Sequence, residues 1–280
     1  MGKAIWWWDM KRPEIEQHVK QDDIVLFPIG STEQHGPHMP TGADYFNAIG
    51  IAEKISEKRG VVIAPPLAYG SHPYFHYGYM GTLPIRQTIL IEFVRDIVKG
   101  LVNCNFNKIL IINAHGQWWT LNTAIQEIAL EVNAFLAVST WQETADPMIR
   151  EVLETPPRHA DESEAALGLY LYPEKLDMSK AVDETLGSYI DTARFCKQGC
   201  FGFGDRGGCF AIEGITAFPQ ESKAMIHGVA GRPTLATREK GEAIVNYTVD
   251  VLCALIDDLR KRFKVGEIPA LKPQLRVEYY

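Results

Sequence analysis

Ile24-Val-Leu-Phe-Pro-Ile-Gly-Ser-Thr-Glu-Gln-His-Gly-Pro-His38 opens as six apolar residues and closes as a polar, glycine-containing loop. An apolar run this short, cut off by glycine, reads as a strand buried on both faces. Lys108-Ile-Leu-Ile-Ile-Asn-Ala-His-Gly-Gln117 repeats the pattern, with a histidine again just past the strand end. Working outward, further strands are expected at 61–65 and 135–139. Helical spacing is expected at 43–58, 88–103, 119–133, 162–171 and 237 to about 264. Strands alternating with longer helices predict an α/β fold: a three-layer α/β/α sandwich with a mainly parallel central sheet. No repeat or linker interrupts residues 1–280, so one domain is expected.

Composition narrows the function. The chain has 46% hydrophobic and 22% charged residues, a formal net charge of −7 and no Lys/Arg stripe. That excludes disorder and argues against a nucleic-acid partner. No apolar run approaches bilayer-spanning length, and the first residues do not form a signal peptide, so a cytoplasmic protein is expected. Five cysteines fit a reducing compartment. Cys196, Cys200 and Cys209 form no CxxC pair and have no histidine nearby, so they read as free thiols rather than a zinc site. The glycine- and aromatic-rich stretch 188–231 reads as a functional loop region or an oligomer contact.

The chemistry concentrates in three segments. Glu33 and His35 follow the first strand at its carboxyl end, the edge where open α/β sheets bind ligands. Asp44, at the start of the next helix, can face the same edge. His115 arrives there from a second strand. Imidazole together with carboxylates suits zinc, manganese or iron. The third segment, Arg158-His-Ala-Asp-Glu-Ser-Glu164, opens a helix with His159 ahead of Asp161, Glu162 and Glu164. Acidic first turns are common on electrostatic grounds alone, yet this one carries more carboxylates than capping needs. Trp118 and Trp119 either wall a pocket or begin the next helix and pack inward. His72, His76, Tyr74 and Tyr77 occupy a loop able to add substrate contacts.

At these segments the sequence resembles the creatininase family of metal-dependent hydrolases. The matching pieces are Glu-Gln-His-Gly with a downstream Asp (Glu33, His35, Asp44), Asn-x-His-Gly (Asn113, His115) and His-Ala-x-Glu-x-Glu (His159 to Glu164). His76 ahead of Gly81-Thr82, and the run Gly228-Val-Ala-Gly-Arg-Pro-Thr-Leu-Ala-Thr-Arg-Glu-Lys-Gly241, add support. The resemblance implies two divalent metal ions (Zn, Mn or Fe) with Asp44 shared. Glu33, Asp44 and His115 would hold one; His35, Asp44 and a further carboxylate the other. In creatininase itself that carboxylate follows the strand-end histidine, where this chain has Gln117, so Glu162 becomes the expected ligand. His159 matches the family's catalytic histidine, Glu164 would support the metal shell, and His76, Gln117, Trp118 and Trp119 would contact substrate. The family hydrolyses small molecules and often assembles as a homo-oligomer, commonly a hexamer. The Gln117 departure argues against creatininase activity. Ring-opening C–C hydrolysis of a diketo-inositol (3-dehydro-scyllo-inosose type) stands slightly ahead of C–N hydrolysis of a creatinine-like cyclic amide or a formamide. A non-catalytic metal-binding subunit is the reading of another class.

Overall fold

The computed structural model describes residues 2–72, 76–185, 211–212, 215–216 and 225–268. In chain order the main elements are β1 (Ile5–Trp6), α1 (Arg12–His18), β2 (Ile24–Ile29), α2 (Ala43–Arg59), β3 (Val62–Ile63), α3 (Gln87–Asn103) and β4 (Lys108–Asn113). They continue with α4 (Trp118–Ile128), β5 (Phe135–Thr140), α5 (Trp141–Thr144), α6 (Asp146–Val152), α7 (Glu162–Leu171), β6 (Ala211–Ile212), β7 (Ile215–Thr216) and α8 (Arg238–Arg262). The first five strands form one all-parallel sheet in the order β1-β3-β2-β4-β5. β6 and β7 pair separately and antiparallel. The expected α/β fold with a parallel sheet is therefore present.

The alternation of side chains along each strand divides the apolar residues between two faces. Ile24 and Leu26 of β2, with Leu110 and Ile112 of β4, pack into a core completed by Ile51 and Ile55 of α2 and Ile244, Val249 and Ile256 of α8. Val25, Phe27 and Ile29, with Ile109 and Ile111, face the opposite way onto Val94 and Val98 of α3 and Leu121 and Ala124 of α4. Both β2 and β4 are buried along their full length, as continuous apolar strands covered by helices on two sides must be.

At the amino edge, Lys108 is buried with Nζ 2.7 Å from both Asp23 carboxylate oxygens and 3.2 Å from the Lys264 carbonyl. That pair fastens the chain beyond α8 to the sheet, at the end away from the candidate site. At the carboxyl edge, Gly30 lets β2 run directly under the start of α2: a Cβ there would lie 2.4 Å from the Tyr45 backbone nitrogen. Only a residue without a side chain permits this approach, and it sets Asp44 beside the loop carrying Glu33.

Most of the expected elements appear with small shifts at their ends. The strand expected at 61–65 is only two residues long, although Val61 to Ala64 are all buried. The helix expected to reach 133 stops at Ile128. β1, α1 and the pair α5–α6 carry too few periodic apolar residues to be legible alone. Cys196, Cys200 and Cys209, and most of the stretch 188–231 read as a loop or oligomer contact, lie outside the described residues.

Candidate metal centre

Three loops and two helices meet at the carboxyl edge. The β2 loop supplies Glu33 and His35, α2 supplies Asp44 from its first turn, and the β4 loop supplies His115. The segment ahead of α7 supplies His159, and α7 itself supplies Glu164. All six are buried. Asp44 is the hub: its Oδ1 lies 3.2 Å from His35 Nε2 and its Oδ2 2.9 Å from His115 Nδ1. Glu33 Oε2 lies 3.3 Å from the same His115 nitrogen, and Glu164 Oε2 lies 3.5 Å from His35 Nε2.

Backbone carbonyls fix the tautomers of His35 and His115, because a carbonyl can only accept. His35 Nδ1 donates to the Glu33 carbonyl at 2.9 Å, leaving Nε2 as the lone pair facing Asp44 and Glu164. His115 Nε2 donates to the Ser71 carbonyl at 2.9 Å, leaving Nδ1 facing Asp44 and Glu33. His159 Nε2 lies 2.9 Å from the Gln34 carbonyl and 3.0 Å from the Gln34 side-chain amide nitrogen, and its Nδ1 lies 3.9 Å from Glu33 Oε2. This backbone hold on the outer nitrogen is how proteins orient metal-binding imidazoles.

The local chain explains the placement. Asp161 caps α7, accepting from the backbone N–H groups of Ser163 and Glu164 and, through its other oxygen, from that of Arg158. Ala160 sits in the left-handed region at φ 49°, a sparsely populated conformation for a residue with a Cβ, where His159 leads into the helix. His159 is also bridged to Ala230 by two backbone hydrogen bonds. The Ala230 segment is held in turn by Gln34, whose amide Nε2 donates to the Gly228 carbonyl. Gly228 has φ 73°, and a Cβ on it would fall 1.9 Å from Gln34 Oε1.

The electrostatics are those of a charge cluster removed from water. Burial would raise the Glu33 carboxyl, but the facing histidines, His76 foremost and His115 with it, outweigh it and hold the group well below the usual carboxylate range. Burial opposes charge on His35 too, yet Asp44, Glu164 and Glu33 push it up to about 10. His115 is likewise raised, by Glu33 and Asp44 against burial. Glu164 is raised to about 8, by burial first and then by Asp44 and Asp161 against the pull of His35. Burial dominates at His159 and keeps that ring neutral. Protons on the raised His35 and His115 balance the charges of Glu33 and Asp44, the balance that bound cations would otherwise supply.

The donor set fits metal ions. His35 Nε2 and Asp44 Oδ2 are buried and close to neighbouring groups, yet neither makes a well-aligned hydrogen bond. Once His35 gives up its proton, the lone pairs of these two atoms face shared space. Glu33, His35 and Asp44 offer ligand atoms within 4.8 Å of each other, as do His35, His159 and Glu164. Ions bind only the deprotonated ligands. Because His35 and Glu164 hold protons at neutral pH, metal uptake releases them and affinity rises from pH 6 to pH 9. Calorimetry in buffers of different ionisation enthalpy reads this release, and a pH-independent affinity would contradict it.

Two expected roles need correction. Glu162, expected as the extra metal ligand, turns away: its carboxylate accepts from Lys240 Nζ at 2.6 Å, from the Thr155 hydroxyl and from two backbone N–H groups. Positions 162 and 164 lie about 200° apart around a helix, so only one of them can face the cluster, and the cap geometry selects Glu164. Gln117, expected to touch substrate, is fully buried. Its Oε1 accepts from the Ser71 N–H at 2.9 Å, and its Nε2 donates to the Gly30 carbonyl and Asn113 Oδ1 at 3.2 and 3.3 Å. It is a pin between three loops that needs both a donor and an acceptor. Gln117→Glu therefore gains no ion and destabilises the fold by about 2–4 kcal/mol, as a buried carboxylate would face two oxygens. Thermal unfolding and metal analysis of that variant check both halves.

Trp118 and Trp119 open α4, half-buried and packed edge-to-face at 5.3 Å. His76 contacts Glu33 Oε1 directly. His72 enters the cluster too, its ring 4.5 Å from His115 and its Nε2 3.0 Å from Ser31 Oγ. His38, buried beside His35, is pushed down to about 4 by burial and by the charge on His35. His72 was expected only as a loop residue able to add substrate contacts, and nothing in the spacing of His38 marked it as a buried neighbour of the centre.

A family model described as creatinine amidohydrolase matches residues 8–256. The chain belongs to the creatininase family. The 3-dehydro-scyllo-inosose hydrolase of Thermotoga maritima is 32% identical over 95% of this chain and 87% of its own length. A putative creatinine amidohydrolase from Bacteroides fragilis superposes with a TM-score of 0.74 at 22% identity, covering 97% of this chain and all of that one. A creatininase variant described as Zn–Zn type superposes with a TM-score of 0.70 at 20% identity, over 94% of this chain and 100% of that one. At such identities the two structures establish the creatininase fold. Among the described residues, no helix is long and apolar enough to cross a membrane.

Proposed function

We propose that this creatininase-family hydrolase opens the ring of a diketo-inositol of the 3-dehydro-scyllo-inosose type by C–C hydrolysis, using two divalent cations. The observation that carries the substrate is the 32% identity, over 95% of the chain, to a hydrolase of that compound. Glu33, Asp44 and His115 would hold one ion and His35, Asp44 and Glu164 the other, with Asp44 shared. Divalent cations so held lower the pKa of a bound water and polarise a carbonyl.

The chain's own residues supply the rest. His159 is neutral, as a group that must accept a proton requires, and its Nδ1 faces the cluster. That nitrogen takes a proton from the attacking water and returns it to the departing carbon. In the tautomer this role requires, His159 Nε2 donates to the Gln34 backbone carbonyl at 2.9 Å and leaves Nδ1 available. Burial of the cluster strengthens every charge interaction within it. Trp118, Trp119 and His76 would contact the substrate ring.

Buried Gln117, where creatininase itself places a ligand carboxylate, supports the C–C reaction over cyclic-amide hydrolysis. The test is a panel of diketo-inositol, creatinine and a formamide offered to the metal-loaded protein, with products followed by NMR. Turnover of the diketo-inositol alone is the expected result. Turnover of creatinine or the formamide instead would transfer the assignment to amide hydrolysis, and metal binding without any turnover would favour a non-catalytic subunit.

A further inference from the structure

Glu33 presents its two carboxylate oxygens to different partners. Oε2 lies 3.3 Å from His115 Nδ1, on the side shared with Asp44. Oε1 contacts His76 and lies 3.9 Å from His72 Nε2. His159 stands between the two sides, with Nδ1 3.9 Å from Oε2 and its ring edge-on to His76 at 4.3 Å. Glu33, His76 and His159 are 1%, 4% and 7% exposed, and one ligand atom from each lies within 4.8 Å of the others. His76 belongs to neither ion position proposed above.

We propose that Glu33, His76 and His159 form a third cation position, weaker than the first two and filled by zinc when zinc is in excess. Its occupant silences the enzyme by taking the Nδ1 lone pair of His159; this second clause rests on the role given to His159 above. Two imidazoles and one carboxylate are a ligand set characteristic of zinc. Imidazole-bearing sites rank zinc above manganese, so zinc in excess fills the position where manganese does not. Affinity is lower here because Glu33 is shared with the first ion and two nearby cations repel.

The test dialyses the metal-loaded protein against rising free Zn²⁺ and counts metal per chain in the natural protein, His76→Phe and His76→Asn. A third equivalent is expected only at free zinc about tenfold or more above the level that fills the first two, the penalty of neighbouring charge. Both variants should lose that equivalent and keep the first two. In ¹⁵N-histidine spectra, the His159 Nδ1 resonance should move with the third equivalent. Saturation at two, a third equivalent surviving in both variants, or an unmoved His159 resonance overturns the proposal. A chain that binds no ion at all overturns the two-ion centre itself, and this position with it. Once turnover is measured, excess zinc should inhibit the natural protein and leave the residual activity of the His76 variants unaffected; equal inhibition would remove the silencing role.

Discussion

Asp44→Ala empties both proposed ion positions at once and lowers hydrolysis by about 10³-fold or more, the scale seen when a unit of catalytic machinery is removed. The reason is geometric. Asp44 lends one oxygen to the His35 side, at 3.2 Å, and the other to the His115 side, at 2.9 Å. Glu164 remains near His35 and Glu33 near His115, but each position then has two ligands and one negative charge. Two raised imidazoles also lose the carboxylate that holds them up, so protons leave along with the metal. Metal analysis of the purified variant is the primary readout. Asp44→Asn keeps the side-chain volume while removing the charge and one acceptor oxygen, which separates ligand loss from the loss of packing. Retention of two ions per chain in a folded Asp44 variant would remove Asp44 as the shared ligand.

The second large effect is a contrast between neighbours. Glu164→Gln should lose the ion on the His35 side, keep the other, and lower activity by about 10²-fold or more. Glu162→Gln should keep both ions. Its cost is stability: the Glu162 side chain is fully buried and bonded to Lys240 Nζ at 2.6 Å, with Glu154 Oε1 at 3.0 Å as an alternative partner for that lysine. Breaking a buried pair costs about 3–5 kcal/mol, and a partly solvated lysine with a second partner brings the expected value nearer 1–3 kcal/mol. Metal counting and denaturant unfolding on the same two proteins give a double dissociation. If Glu162→Gln lost an ion and Glu164→Gln did not, the assignment would revert to the one expected from sequence.

That contrast shows how far the chain can be read alone. β2 and β4 were legible because a strand buried on both faces must be apolar throughout, and a run such as Ile24–Ile29 has few other folded uses. Their loops were legible because ligand-bearing residues follow the strand ends immediately. β1 and α1 were not, since two or seven residues give too little periodicity for a pattern to emerge.

Residue types and their order determined the α/β architecture, the edge of the sheet that carries chemistry, and Glu33, His35, Asp44, His115 and His159 as the candidates gathered there. Tertiary structure decided which carboxylate of α7 turns inward, because Asp161 fixes the helix start and helical rotation then points Glu164 at His35 and Glu162 at Lys240. It also decided that Gln117 is a pin, since two of its three partners, Gly30 and Ser71, lie far away in sequence. And it brought His72 and His76 against Glu33, across more than thirty-five residues of chain, a proximity set by the parallel crossover rather than by any local spacing.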